Sequence, residues 1–440
     1  GLKRLVDACH QKGIAVILDV VYNHQGPEGN YMSAFAPYFS SRYHTPWGDA
    51  INFDWEWSDG VREFYIQNTL YWLDEFHFDG LRFDAIHAVF DSSPVHFWDA
   101  LHHEVRELES RTGRRYQLIA ESDLNDPRVI EPAEVRGFGF DMQWLDDFHH
   151  ALYKLLFKND AERYCDFGSI HQLARAYKEG FVHCGKEWVK FRKRRYGASS
   201  ENIPGNRFIV FNSNHDQIGN RPDGARPSSL LDIERQKLAA AAMYLSPYIP
   251  MLFMGEEYSD DRPFHYFVSH SDSDLLEAIR KGRKEEFKDV GFSTEPPDAQ
   301  DEQTFRDSVL DWDKRNEGYH RLMLDWHRKL IRMRKELEPL RNFLKEDIDT
   351  IVCDEEAMIL TRRSGDEILV CFFNFSQNGI SCRPPSYIGE ATLILESTGG
   401  NEEKYTPTIT AEQSVSVPPL SVGVYRSRRG KNIESLRSDQ

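Results

Sequence analysis

The sequence predicts an α/β fold, a (β/α)-barrel portion followed by a C-terminal antiparallel β domain, and three observations carry that prediction. Short, almost continuously apolar runs recur along the first three quarters of the chain. Helical stretches alternate with them. After about residue 340 the pattern changes to closely spaced short strands. The first strong run, residues 14–21, reads Ile-Ala-Val-Ile-Leu-Asp-Val-Val, the mark of a strand covered on both faces in a parallel sheet. Comparable runs follow at 80–84, 117–121, 140–144, 208–212 and 250–254. Helical patterns at 61–76, 94–110, 147–157, 231–245 and 319–337 lie between or after them. Strands alternating with helices imply βα units with right-handed crossovers. Polar residues gather at the ends of the runs: Asn23, His24, Asp84, Glu121, His215 and Asp216. In a (β/α)-barrel the C-terminal strand ends form the catalytic rim. No Gly-rich phosphate loop follows any run, which argues against a nucleotide-binding sheet.

Residues 25–59 form a long connection rich in Gly, Pro and aromatics, and connections of that length are usually functional. Beyond 340, strands are predicted at 350–353, 358–362, 367–373, 392–396 and 414–425, with turns at Ser364-Gly365-Asp366 and Ser397-Thr398-Gly399-Gly400. The expected division is a barrel domain over 1–340, a β-sandwich domain over 341–427 and a polar tail over 428–440.

The chain has 440 residues, with 54 Lys and Arg against 71 Asp and Glu, for a net charge of −17. Such a field repels nucleic acid and anionic membrane and favours a neutral or cationic partner. The run Arg192-Lys193-Arg194-Arg195 is read as a solvated face. Six scattered cysteines with no C-x-x-C pair read as free thiols in a reducing, cytoplasmic compartment. No stretch has the length and purity of a membrane span, and the start, Leu2 to His10, reads as an amphipathic helix rather than a signal peptide.

Each strand-end acid alone has a structural reading: Asp84 pairing with Arg82, Glu121 capping a helix, Asp216 closing a turn. Three on one rim point to carbohydrate chemistry instead. If Asp84 and Glu121 end neighbouring strands, a spacing of about 4.8 Å brings their carboxyls together. Retaining glycosidases need about 5–5.5 Å, inverting ones roughly 6.5–9.5 Å. Arg82, two residues before Asp84, would keep that carboxylate ionised, whereas Glu121 beside negative charge would hold its proton.

The segments Asp19-Val20-Val21-Tyr22-Asn23-His24, Asp79-Gly80-Leu81-Arg82-Phe83-Asp84-Ala85, Ile119-Ala120-Glu121-Ser122 and Asn214-His215-Asp216 resemble, in order, the four signature regions of the α-amylase family (glycoside hydrolase family 13). The resemblance implies Asp84 as nucleophile, Glu121 as acid/base and Asp216 as the third carboxylate. It further implies sugar contacts from His24 and His215, and an Arg82 that orients Asp84 with Asp19 behind it. Flanking segments, including Tyr43-His44-Thr45-Pro46-Trp47-Gly48-Asp49, Asp141-Met142-Gln143-Trp144-Leu145-Asp146-Asp147-Phe148-His149-His150 and Leu252-Phe253-Met254-Gly255-Glu256-Glu257-Tyr258, resemble the malto-oligosyltrehalose trehalohydrolase branch. That implies cleavage of the α-1,4 bond next to a terminal trehalose, with malto-oligosyltrehalose or a related α-glucan as partner. Trp47, Trp55 and Trp57 on the long connection are candidate sugar platforms, and Trp144 lies with the next cluster, after the following strand. Asp146, Asp147, His149 and His150 open a helix, where capping and sugar hydrogen bonding are expected rather than metal binding. No cofactor and no required metal are expected. The competing readings are a glycogen branching enzyme, which would use the same carboxylates, and an inactive carbohydrate-binding fragment. In this frame residues 1–12 read as the second barrel helix and 14–21 as the third strand. The expected fold is a (β/α)8 TIM barrel lacking its first two strands. Bare strand edges make weak activity or poor solubility the expectation for this piece alone.

Overall fold

The computed structural model describes residues 1–157, 164–289, 295–399 and 405–428; the predicted polar tail lies outside them except for Arg428. The chain falls into two compact units. The first comprises Gly1–Trp144, Tyr196–Ile203 and Arg207–Ile209, and the second Leu145–Arg195, Pro204–Asn206 and Val210–Gln440.

In the first unit, helix α1 (Leu2–Gln11) precedes strand β1 (Ile17–Val20). The long connection folds part of itself into a hairpin, β2 (Phe39–Thr45) and β3 (Gly48–Ile51), which the sequence reading left as loop. Helix α2 (Ser58–Asp74) leads to β4 (Gly80–Phe83), and α3 (Phe97–Thr112) to β5 (Gln117–Ala120) and β6 (Met142–Trp144). The strands pair in parallel with Val20 opposite Phe83 and Phe83 opposite Ala120, so three consecutive strand ends are level. All four residues of β4 are buried, as expected of a strand covered on both faces. Gly80 is required there: a Cβ would stand 2.2 Å from the Gln117 carbonyl oxygen. Helix α3 ends at Gly113, whose φ of +70° supplies the left-handed cap that other residues adopt at a cost.

The second unit begins with α4 (Asp146–Leu156) and α5 (Ile170–Glu179). The basic run lies in a short hairpin, β7 (Trp188–Val189) with β8 (Arg194–Arg195), the latter exposed at both residues. Strand β9 (Phe208–Val210) pairs with β6 through its first two residues, and its last, Val210, accepts the Met251 N–H at 2.8 Å beyond β10 (Ile249–Pro250). The parallel sheet therefore runs β1-β4-β5-β6-β9-β10.

After the helix Gly318–Glu336 come β11 (Ile348–Asp354), β12 (Ala357–Ser364), β13 (Glu367–Asn374), β14 (Ile380–Cys382), β15 (Ala391–Glu396), β16 (Thr408–Ile409), β17 (Val415–Val417) and β18 (Ser421–Arg428). Six form one sheet, β11-β12-β13-β18-β15-β16, and β14-β17 a second. Ile359, Val370 and Phe372 of the larger sheet pack with Cys382, Val415 and Val417 of the smaller one. The single strand expected over 414–425 is two strands, because Pro418-Pro419 removes two ladder donors between them. Arg362 of β12 is 1% exposed, and its guanidinium donates to the Leu245 carbonyl at 2.8 Å and to that of Asn342. An apolar replacement there would orphan two carbonyls.

Glu256, in the turn after β10, accepts hydrogen bonds from the Asn212 side chain (2.8 Å) and the Phe253 N–H (3.1 Å) and borders a cavity of about 40 Å³ lined also by Arg226 and His327. Burial pushes its carboxyl up to about 7 from an ordinary 4.5. The folded state thus favours the protonated acid, a contribution complete below about 4.5 and lost as pH rises through about 7. Glu256→Gln is expected to match the parent at pH 5 and exceed it at pH 8 by about 1–3 kcal/mol. Asn212 Oδ1 has no hydrogen-bond partner, so a flip of its amide can accept the new N–H. Thermal melts at the two pH values check this; equal gains at both would refute it.

Candidate active site

The level strand ends of the first unit set the geometry. The backbone N–H of Asp84 donates to the Val20 carbonyl and that of Glu121 to the Phe83 carbonyl, each at 3.0 Å. Both acids therefore sit one residue past a strand, side by side. The chain then turns sharply: Ala85 has φ +38°, its N–H donates to Glu121 Oε2 at 2.9 Å, and the Ile86 N–H donates to the Glu121 carbonyl at 3.0 Å. Left-handed backbone at a non-glycine residue stores strain that the surrounding contacts must hold.

Arg82 is the hub. It is 4% exposed and lies directly opposite Asp19 in the β1–β4 register. Its Nη1 donates to Asp19 Oδ1 (2.9 Å), Asp19 Oδ2 (3.0 Å) and Asp84 Oδ1 (3.0 Å), while Nη2 stands 2.7 Å from Glu121 Oε2 in an ion pair. The Trp144 ring lies 4.1 Å from the guanidinium carbon. Trp144 is 8% exposed, and its indole covers the arginine by a cation–π contact.

Asn23 is a contributor that the sequence reading left among the strand-end residues without a role. Its side-chain amide donates to the Asp84 carbonyl at 2.7 Å and to Asp84 Oδ2 at 2.9 Å. Burial alone would raise Asp84, but the Asn23 amide, the Arg82 charge and a hydrogen bond from Glu121 outweigh it and hold the carboxyl below its usual value. Both carboxyls are drawn onto one guanidinium, and an ionised Asp84 beside a second carboxyl is the arrangement that a nucleophile and an acid require.

His24 Nδ1 meets Asn23 Oδ1 at 2.5 Å, and its ring stacks on Trp47 at 4.4 Å with an interplanar angle of 12°. Burial pulls the imidazole down, partly offset by Asp84, which favours the neutral ring. Trp47 reaches it from the tip of the β2–β3 hairpin, where Thr45 Oγ1 accepts the Trp47 N–H at 3.2 Å, and it remains 51% exposed. Trp55 instead faces the Arg42 guanidinium at 4.7 Å, and Trp57 is exposed at the start of α2.

The remaining candidates belong to the second unit. Asp216 lies six residues beyond β9, in the first turn of the short helix α6 (His215–Gly219), not at the strand end expected. Its N–H donates to the Asn214 cap at 2.8 Å, and its Oδ1 is 3.6 Å from His215 Nε2. Both side chains are about two-fifths exposed. Asp146 and Asp147 occupy the first turn of α4, where the helix dipole favours acids. Leu145 holds the cap position of α4, and buried Asp147 accepts the N–H groups of Val182 (2.7 Å) and His183 (2.9 Å) on one oxygen. His149 is 1% exposed among Tyr153, Tyr164 and Phe211. Among the described residues no group of three or more His, Cys, Asp or Glu could hold a metal ion. No helix among them is long and apolar enough to cross a membrane.

No protein-family model matches the chain. A malto-oligosyltrehalose trehalohydrolase of Saccharolobus solfataricus is 47% identical over 336 residues, 76% of this chain and 57% of that protein. The Mycobacterium tuberculosis H37Rv protein of the same name is 39% identical over 404 residues, 90% and 68% of the two chains. A crystal structure of a putative α-amylase from Salmonella typhimurium superposes with a TM-score of 0.84 at 33% identity, over 97% of this chain and 70% of the other. The chain thus spans between somewhat over half and two thirds of the length of these curated relatives. With that identity, that superposition and Arg82, Asp84 and Glu121 gathered at level strand ends, the chain belongs to the malto-oligosyltrehalose trehalohydrolases of the α-amylase family.

Proposed function

We propose that this protein hydrolyses the α-1,4 glucosidic bond next to the terminal trehalose of malto-oligosyltrehalose, with retention of configuration. The observation that carries the reading is the single guanidinium of Arg82 holding the carboxyls of Asp84 and Glu121 together, with Asp84 kept below its usual value. In the first step Asp84 attacks the anomeric carbon as Glu121 delivers its proton to the glycosidic oxygen. Trehalose leaves through its 4-hydroxyl, and the maltodextrin stays as an ester on Asp84. In the second step Glu121, now ionised, takes a proton from water, whose oxygen displaces Asp84 and frees the shortened maltodextrin. Asp216 is assigned to gripping sugar hydroxyls in the transition state, and His24, His215, Trp47 and Asp146 to sugar contacts; His149, buried among aromatic rings, is not assigned one. Trp47, exposed and stacked on His24, supports this most directly: an uncharged sugar is recognised by stacking and hydroxyl hydrogen bonds. Six free cysteines fit work in a reducing, cytoplasmic setting.

Product analysis on malto-oligosyltrehalose tests the reading. Trehalose together with a maltodextrin first released as the α-anomer is expected. New α-1,6 branches would identify a branching enzyme, a β-anomer would reject the ester on Asp84, and binding without turnover would identify a carbohydrate-binding protein.

A further inference from the structure

All six cysteines are free thiols, and two of them meet in the C-terminal sandwich. Cys353 belongs to β11 of the six-stranded sheet and Cys382 to β14 of the two-stranded sheet. The β11–β12 ladder pairs Val352 with Met358 and resumes with Asp354 opposite Ala357, so Cys353 is the extra residue of a bulge. Bulges re-aim a side chain relative to the ladder. Here Cys353 packs beside Ile351 against the core cluster that contains Cys382. Cys382 stands opposite Val415 in its own sheet and is 2% exposed. Cys353 Sγ lies 3.9 Å from the Ile351 carbonyl oxygen, and the Cys353 and Cys382 thiols are near enough to shift each other's acidity in opposite directions.

We propose that Cys353 and Cys382 form a reversible intramolecular disulfide, linking the two sheets of the sandwich, when the protein meets a small disulfide oxidant such as oxidised glutathione. Cys353 is the attacking thiol: it is half-buried rather than enclosed, and the neighbouring Cys382 thiol favours its thiolate. Cys382, raised by its neighbour Cys353 and by burial, remains a thiol until it is needed. The Cys353 thiolate attacks one sulfur of glutathione disulfide, the S–S bond breaks, and one glutathione thiolate leaves. Cys382 then loses its proton to solvent and attacks Cys353 Sγ, expelling the second glutathione thiolate. Two protein thiols are oxidised and one disulfide is reduced. Two other thiols are less suited to the first step: burial pushes Cys371 up to about 12, and burial with the Asp166 charge raises Cys165. The link would close a loop containing β12 and β13, restricting the unfolded chain.

The test is to incubate the purified protein with oxidised glutathione near neutral pH, alkylate the remaining thiols and map the peptides by mass spectrometry. Expected are a Cys353–Cys382 cross-linked peptide, two fewer alkylated cysteines per chain, a melting temperature higher by a few degrees, and reversal by dithiothreitol. Cys382→Ser should stop the reaction at a glutathione adduct on Cys353; Cys382→Ala serves if the serine variant does not fold. A persistent Cys353 adduct in the parent with Cys382 still alkylated, a cross-link through other cysteines, or no thiol loss would overturn the proposal.

Discussion

Asp84→Asn is expected to lower the turnover of trehalose release by roughly 10⁴-fold while leaving the protein folded. An amide has no charge with which to attack an anomeric carbon, so the loss falls on kcat. The structural cost is separate and smaller. Asp84 accepts from Arg82 on one oxygen and from Asn23 on the other, so one donor must then face an amide N–H. A lost charge-assisted bond of this kind costs about 1.5–3 kcal/mol, which a melting curve reads independently of rate. Glu121→Gln should show a comparable loss on the natural substrate but differ in one respect. Its missing function is a proton for the leaving group, so an α-glucosyl fluoride, whose leaving group needs none, should restore much of the first step. The same substrate should not rescue Asp84→Asn. Near-parental turnover by either variant, or fluoride rescue of Asp84→Asn in place of Glu121→Gln, would reverse or remove the two assignments.

The parallel strands were legible in the sequence because burial on both faces leaves an unbroken apolar run, as at Leu81 and Phe83, although β1, read the same way, keeps Ile17 exposed. Asp84 and Glu121 were legible for a related reason: each is the first acid after such a run. What could not be read locally was set by partners distant in sequence. The β2–β3 hairpin carries Ser, Arg, His and Thr along much of its first strand and no Asn-Gly turn, so neither alternation nor turn chemistry announced it. Its consequence, the Trp47 ring placed on His24, depends on contacts across more than twenty residues. Trp144 ends β6, yet the guanidinium it covers comes from β4. Asp147 reads as a helix-start acid, and its acceptance of the Val182 and His183 N–H groups is joined to it by no local pattern. Periodicity reports which face is buried, not what it is buried against.

Arg82→Met is expected to destabilise the first unit by about 3 kcal/mol at pH 7, the lower end of the range for removing one partner from a buried ionic cluster. The lower end applies because Asp19 is half-exposed and the carboxylates of Asp84 and Glu121 keep about a fifth of their surface. The methionine can still pack beneath Trp144, so the deficit is chiefly electrostatic: three carboxylates would converge on a site with no cation. That fixes the sign of the pH dependence. In the parent, Asp84 lies below its usual value, so its contribution is present at pH 7 and is lost only as pH falls through that depressed value. In the variant the neighbouring acids repel one another and their proton affinities rise above those of the unfolded chain. Stability should then recover on acidification from pH 7 to pH 5, where the parent is nearly unchanged. The gap between the two melting temperatures is therefore expected to narrow at pH 5. Arg82→Lys should be intermediate at pH 7, since one ammonium is a point charge and cannot reproduce the fork that reaches three acids. A gap that is the same at both pH values would assign Arg82 a packing role and remove it as the group that keeps Asp84 ionised.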